Sequence, residues 1–319
     1  MDRQLSDLEP RTGDDERFSS AIPLHGDAGY LPPEPVAQRV PNDTPAPLRT
    51  LRELETRYDP ATRTLHTWIR PAGRPSFTPP LLADFEGWQD GIAQAFGPGR
   101  LPLDFLVLGS RAPGVWCLGG DLDLFQGLIR AGDRAGLAAY GHRCVAILHK
   151  NYMALDLPLL TVGLVQGQAL GGGLEALLSF DFVIAERGTT FGLPEVMFGL
   201  FPGMGAHAFL ARRLGSAQAE RVILGNRTYT AEEFYEMGLI TQLAAPGEGE
   251  AELRAFIARS ARRHAGLLGA RKAMRRAQPL DLAELDDIVD LWAEAALALS
   301  ESDLRMMSRL VSAQNRKVG

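Results

Sequence analysis

Gly171, Gly172 and Gly173 stand between an apolar run and the start of a helix, in Val165-Gln-Gly-Gln-Ala-Leu-Gly-Gly-Gly-Leu-Glu175. Glycine lets a backbone approach another group closely, and the first N–H groups of a helix have no acceptor within it. A strand that ends in such a turn and feeds a helix builds one of two things. It is either a close strand–helix contact or a cradle of N–H donors for an anion or a developing oxyanion. A second glycine turn, Leu118-Gly-Gly-Asp121, follows a short strand and precedes another helix. Asp121 reads most simply as the N-cap of that helix, while Gly120 could present a second backbone N–H to the same place. Two donors from separate loops are what an acyl-transfer oxyanion pocket needs.

Two acids fall beside these turns. Glu175 follows the glycine triplet in the first helical turn, where a carboxylate is also favoured by simple electrostatics. Glu195, in Gly192-Leu-Pro-Glu-Val, is a lone acid between Phe191 and Met197. Apolar surroundings favour the neutral form of a carboxyl, so its pKa is expected to rise toward the range useful for acid–base work. The alternative is an exposed loop acid.

The surrounding pattern is α/β. Arg49 to Tyr58 and Thr62 to Arg70 read as a hairpin, Leu81 to Phe96 as a helix and Phe105 to Gly109 as a buried strand. Leu122 to Met153 gives one or two helices, Leu159 to Val165 a strand, Leu174 to Leu178 a helix start and Phe182 to Ala185 a strand. Beyond Met204 helices dominate, apart from a strand at Leu239 to Leu243. Strands alternating with helices predict a sheet covered by crossovers. Three regions follow: a Pro-rich acidic arm over 1–47, an α/β core over 48–250 and a helical region over 251–319. The arm holds 8 of the 21 prolines and 9 acidic against 4 basic side chains. Such a composition buries too little apolar surface to offset its ordering entropy. It therefore carries most of the chain's net charge of -6, leaving the body nearly neutral.

Other classes are excluded by what is missing. No run approaches the ~20 apolar residues of a membrane helix, and the start of the chain shows no apolar signal segment. Two cysteines, Cys117 and Cys144, are too few for a disulfide framework and point to a reducing, cytoplasmic setting. The acidic balance gives no reason to expect nucleic acid. GxSxG, HExxH, P-loop and CxxC signatures are absent, and the six histidines lack ligand spacing, so neither a metal nor a cofactor is expected. Gly203-Met-Gly-Ala-His-Ala208 has the look of a dinucleotide fingerprint but lacks the strand before it and the acidic strand after it.

On these residues the chain resembles the crotonase (enoyl-CoA hydratase/isomerase) superfamily. Pro158 to Glu186 is similar to that family's strand-GGG-helix segment, and Phe191 to Arg212 to its PE loop and following helix. Leu214 to Gly225 and Ala231 to Leu239 are similar to its downstream helices. Within the superfamily, three stretches resemble the diffusible signal factor synthases of bacterial quorum sensing. These are Leu118 to Phe125 with Leu128-Ile-Arg130, Leu193 to Ala206, and Met306 to Arg316. Gly120 departs from ordinary hydratases, in which alanine is common there.

The resemblance implies a spiral of ββα units followed by helices that assemble a homotrimer or a dimer of trimers. It implies backbone N–H donors at Gly120 and Gly172 and catalytic carboxyls at Glu175 and Glu195. It further implies dehydration of a 3-hydroxyacyl chain on acyl carrier protein to a cis-2-enoyl thioester, then hydrolysis to the free fatty acid. A regulatory sensor protein is a possible partner. Eight Lys/Arg and no acids between Arg254 and Arg276 form either a solvated helix face or, through Arg271, Lys272, Arg275 and Arg276, a surface facing the anionic carrier and its phosphopantetheine. Two other functions remain open: an ordinary enoyl-CoA hydratase or isomerase acting on CoA esters, and a crotonase-fold binding or regulatory protein without turnover.

Overall fold

The computed structural model describes residues 43–318. The arm expected over residues 1–47 therefore lies outside the described residues except for its last five. There Thr44 is buried, its hydroxyl accepting from the Tyr58 N–H at 2.9 Å.

Between residues 105 and 192 strands come in consecutive pairs, the first of each pair in a large sheet and the second in a small one. The large sheet contains β1 (Leu54–Asp59), β2 (Thr64–Ile69), β3 (Phe105–Ser110), β5 (Leu160–Val165), β7 (Phe182–Glu186) and β10 (Gln242–Ala244), in that spatial order. Among the described residues its only antiparallel pair is β1–β2, the hairpin turning at Asp59 to Thr64. The small sheet orders β4 (Val115–Cys117), β6 (Gln168–Leu170), β8 (Thr190–Gly192) and β9 (Thr228–Thr230), with β9 antiparallel to β8. Each strand pair is followed by helical structure, so the chain advances as a spiral of ββα turns, the fold expected from the sequence. β5 is buried at every residue, as a parallel strand covered on both faces should be.

Several helices start at a side-chain cap. Thr78 caps α1 (Pro79–Phe96), whose first two residues are prolines. Asp121 caps α2 (Leu122–Ala131) by accepting from the Leu124 N–H, and Gly132 ends it in the left-handed region at φ +66°. Asp133 then caps α3 (Arg134–Tyr152). After α4 (Gly172–Leu178) come α5 (Ala206–Leu214), α6 (Ser216–Leu224) and α7 (Ala231–Glu236), the last opened by a Thr230/Glu233 capping box. The helical region is α8 (Gly249–Ala261), α9 (His264–Ala277), α10 (Leu282–Leu297) and α11 (Glu301–Val318).

Two details differ from the sequence reading. The segment entering the glycine triplet is not β5 itself but the three-residue β6, which runs in the other sheet. The small sheet as a whole went unread, because strands of three residues are too short to show alternation. Among the described residues, no helix is long and apolar enough to cross a membrane, and no cluster of three or more His, Cys, Asp or Glu could hold a metal.

Candidate active site

The two glycine turns meet. Gly119 adopts φ +93°, and a Cβ there would stand 2.8 Å from the Gly172 nitrogen and 2.9 Å from the Leu170 carbonyl oxygen. Only a glycine lets the loops touch. The first turn is moored to the neighbouring loop, Leu118 N–H donating to Pro75 O and Phe77 N–H to Gly119 O, each at 2.8 Å. Gly172 is the first residue of α4, so its N–H has no intrahelical acceptor. Gly120 and Gly172 both line one cavity, together with Glu175 and Glu195. All four residues singled out in the sequence thus come to one place.

Glu175 is 1% exposed. Its Oε1 accepts from the N–H groups of Met204 at 2.8 Å and Ala206 at 3.0 Å, so it closes the N-terminus of α5 as well as facing the cavity. Burial raises its pKa to about 7, against the pull of those two N–H bonds. Glu195 opens a single helical turn, Glu195–Phe198, that leads into Gly199 at φ +76°. The residue is only half-buried, but its Oε2 is enclosed and has no partner. Burial first, and the Glu175 charge second, push its pKa well above the carboxylate range. Glu175, with two N–H donors, is the carboxyl that ionises first; Glu195 keeps the proton. At Gly171, φ +51°, a Cβ would stand 2.5 Å from Glu195 Oε1, so the triplet also gives this carboxyl its room.

Of the rest of the wall, Phe125, Leu310 and Gln314 lie in stretches that carry the family resemblance, while Tyr140 and Trp292 carry no signal of their own in the sequence. Tyr140 on α3 donates its hydroxyl to Phe77 O at 2.6 Å and accepts from the Asp121 N–H at 3.3 Å, bracing the Gly120 turn. Phe125 meets both Tyr140 and Trp292 edge-on at 5.0 Å. Leu310 and Gln314 of α11 complete the cavity, with Ser308 donating to Gln126 Oε1 at 2.6 Å to hold α11 against α2. The one sequence trace of Trp292 is Gly203, where a Cβ would stand 2.6 Å from the indole Cγ. The Gly203–Gly205 pair thus serves this contact and, at φ +110°, the entry to α5.

Cys117 and Cys144 are buried, and burial pushes both thiols up, so neither offers a thiolate nucleophile. The four basic residues separate into two pairs. Arg271 Nε and an Arg275 guanidinium nitrogen grip the buried Asp181 Oδ1 at 2.8 and 2.6 Å, and Asp181 Oδ2 accepts from the Thr161 N–H at 3.1 Å. Lys272 and Arg276 are exposed. None of the four lines the cavity that holds the glutamates.

Two backbone turns at an apolar cavity, with one proton held between two carboxyls, can bind a thioester carbonyl and move protons to and from the adjacent carbons. This spiral fold and cavity define a class of α/β acyl-thioester proteins. A family model described as enoyl-CoA hydratase/isomerase matches residues 103–286, and the chain belongs to that family. A similar protein is the "Probable enoyl-CoA hydratase" of Rhizobium meliloti (strain 1021), 36% identical over 201 residues, which span 61% of this chain and 72% of that protein. Among solved structures, DspI of Pseudomonas aeruginosa matches with a TM-score of 0.61 at 24% identity, over 71% of this chain and 81% of its own. An enoyl-CoA hydratase from Bacillus halodurans matches with a TM-score of 0.66 at 19% identity, over 80% of this chain and 98% of its own. At these identities the two structures speak for the fold alone.

Proposed function

We propose that the protein is a diffusible-signal-factor-type synthase. It dehydrates a 3-hydroxyacyl chain on acyl carrier protein to the cis-2-enoyl thioester and hydrolyses that to the free fatty acid. One observation carries the reading. The three stretches on which the sequence resembles such synthases converge on one cavity: Leu118, Gly120 and Phe125 from the first, Glu195, Phe198 and Met204 from the second, Leu310 and Gln314 from the third.

In this reading the N–H groups of Gly120 and Gly172 hold the thioester oxygen as charge develops on it. Glu195 removes the C2 proton and Glu175 delivers a proton to the leaving C3 hydroxyl; addition of water runs the same steps in reverse. Both directions need one proton on the pair. The resting arrangement, charge on Glu175 and proton on Glu195, is the state from which water addition starts; dehydration starts after that proton has moved to Glu175. For hydrolysis the same pair orients water on the carbonyl, without a Ser or Cys nucleophile.

Exposed Lys272 and Arg276 are the residues left to steer an anionic carrier, Arg271 and Arg275 being engaged with Asp181. Assembly into a homotrimer is supported by α9, which buries none of its residues in the single chain. A second reading, an ordinary hydratase or isomerase on CoA esters, is favoured by the description of the Rhizobium relative. A third, a binding protein without turnover, is disfavoured by the enclosed carboxyl pair.

One assay separates them. The protein is incubated with 3-hydroxydodecanoyl thioesters of carrier protein and of CoA. Free cis-2-enoic acid supports the synthase; interconverted CoA ester without acid release overturns it in favour of the hydratase. No product from either overturns both.

A further inference from the structure

Gly120 sits in a turn that cannot hold itself in place. Gly119 is at φ +93°, and two adjacent glycines turn about their backbone bonds at little steric cost. A donor carried by such a turn stays aimed at the cavity only if something outside the turn fixes it. The segment beside it, Arg74-Pro-Ser-Phe-Thr-Pro-Pro80, is of the opposite kind. Pro75 locks its own φ and confines Arg74 to extended backbone. Thr78, Pro79 and Pro80 then tie the segment to the start of α1. A stiff segment therefore lies against a loose one.

Phe77 and Gly120 form a parallel bridge. In such a bridge one residue bonds to the two neighbours of the residue facing it, so Gly120 keeps its own N–H. Beyond the bridge, side chains take over. Tyr140 holds the Asp121 N–H, and Arg74 holds the Asp121 carboxylate. Arg74 Nη2 meets Asp121 Oδ1 at 3.3 Å, and Nη1 meets Asp123 Oδ2 at 2.9 Å. Its Nε donates to Ser76 Oγ at 3.3 Å, within its own stiff segment. The side chains of Arg74 and Asp121 are only 11% and 15% exposed, so solvent screens this pair less than a surface one. Helix α2 does not need the guanidinium. Asp121 Oδ1 already caps it through the Leu124 N–H at 3.3 Å, and a cation beside a helix N-terminus opposes the dipole. What Arg74 adds is a tie from the stiff segment to the residue that follows Gly120.

We propose that Arg74 is a positioning residue for the oxyanion pocket: through Asp121 it holds the Gly120 N–H on the thioester oxygen. The proposal rests on reading Gly120 and Gly172 as the donor pair, and it adds the group that keeps the looser of the two in register.

The test reads the carbonyl directly. Donors on the oxygen of a bound 2-enoyl thioester draw electron density through the conjugated system and move its absorbance to longer wavelength. Arg74→Gln, with its folded fraction measured by thermal melting, should shrink that shift. It should also lower kcat about 10- to 100-fold and leave KM nearly unchanged. Arg74→Lys, which keeps the charge but not the fork, should recover part of both. Asp121→Asn keeps a good helix cap and removes the ion pair, so it should act in the same direction. The double variant with Arg74→Gln should then be no worse than the poorer single one. A wild-type shift that is undiminished in Arg74→Gln overturns the inference alone. So does a fall in kcat that only tracks the folded fraction, the shift per folded molecule staying as in the wild type. A wild type that binds the thioester without any shift overturns the reading of the donor pair, and this inference with it.

Discussion

Glu175 Oε1 accepts the Met204 N–H at 2.8 Å. One carboxyl therefore serves both the site and the N-terminus of α5, and it is held in the ionised form more readily than its neighbour Glu195, whose backbone donor is its own N–H. Burial raises both carboxyls, and the Met204 and Ala206 N–H groups pull Glu175 back down while its charge holds Glu195 up.

A bell-shaped pH profile is the direct consequence. Activity in either direction requires one proton on the pair, so kcat/KM for the free enzyme should rise as Glu175 ionises, near pH 7, and fall only at higher pH as Glu195 loses its proton. Stopped-flow rates from pH 5 to 10 measure this. A plateau already reached at pH 5 would remove Glu175 from the titrating pair.

Removing either carboxyl should cost kcat roughly 100- to 10,000-fold. Glu175→Ala and Glu195→Ala, assayed on the same thioester, check this, and near-normal turnover in either excludes that residue from the chemistry.

The carboxyls also set stability. Both have raised folded-state pKa values, so the folded chain binds more protons than the unfolded one. Their contribution is full below the unfolded carboxyl pKa and is lost as pH rises through the folded values. Glu175→Gln keeps an oxygen for the Met204 and Ala206 N–H groups but cannot ionise. Its Tm should match the wild type near pH 4 and exceed it above pH 8. A variant less stable than the wild type at pH 8 refutes the account.

The two glycine turns should respond differently to a methyl group. At Gly172 a Cβ falls on Met204 Sδ, at the donor itself; Gly172→Ala is expected to lower kcat roughly 100- to 1,000-fold. At Gly120 the Cβ comes 2.6 Å from the Phe125 ring, which can turn. Gly120→Ala should mainly raise KM for long chains. Equal kcat losses at both sites would contradict this division.

Asp181→Ala leaves Arg271 and Arg275 facing each other without their buried carboxylate. Loss of one partner from a buried pair destabilises by about 3–5 kcal/mol, measurable by urea unfolding. Lys272→Glu and Arg276→Glu should leave stability within about 0.5 kcal/mol and raise KM for carrier-bound substrate at low salt, but not for CoA esters.

How far the sequence could be read depended on the range of the physics involved. The Asp121 cap, the β-branched β5 and the glycine turn before α4 are each decided within a few residues. The four site residues were readable because glycine turns and a lone acid in apolar surroundings carry their reason with them. Long-range partners were not. Asp181 lies 90 positions before Arg271, so a buried ion pair looked like one half of a basic surface. Trp292 comes from a helix whose apolar residues read as ordinary packing, and Gln314 is tied to Gly120 in sequence only through the family resemblance of the stretch that holds it.

Trp292, Leu310 and Gln314 close the cavity from α10 and α11, well downstream of both glutamates. A chain still being synthesised has its carboxyls and glycine turns before it has this wall. Until α10 and α11 dock, Glu195 lacks part of the burial that raises its pKa. Proton-transfer competence is thus acquired at the end of folding, by helices that contribute no acid or base to it.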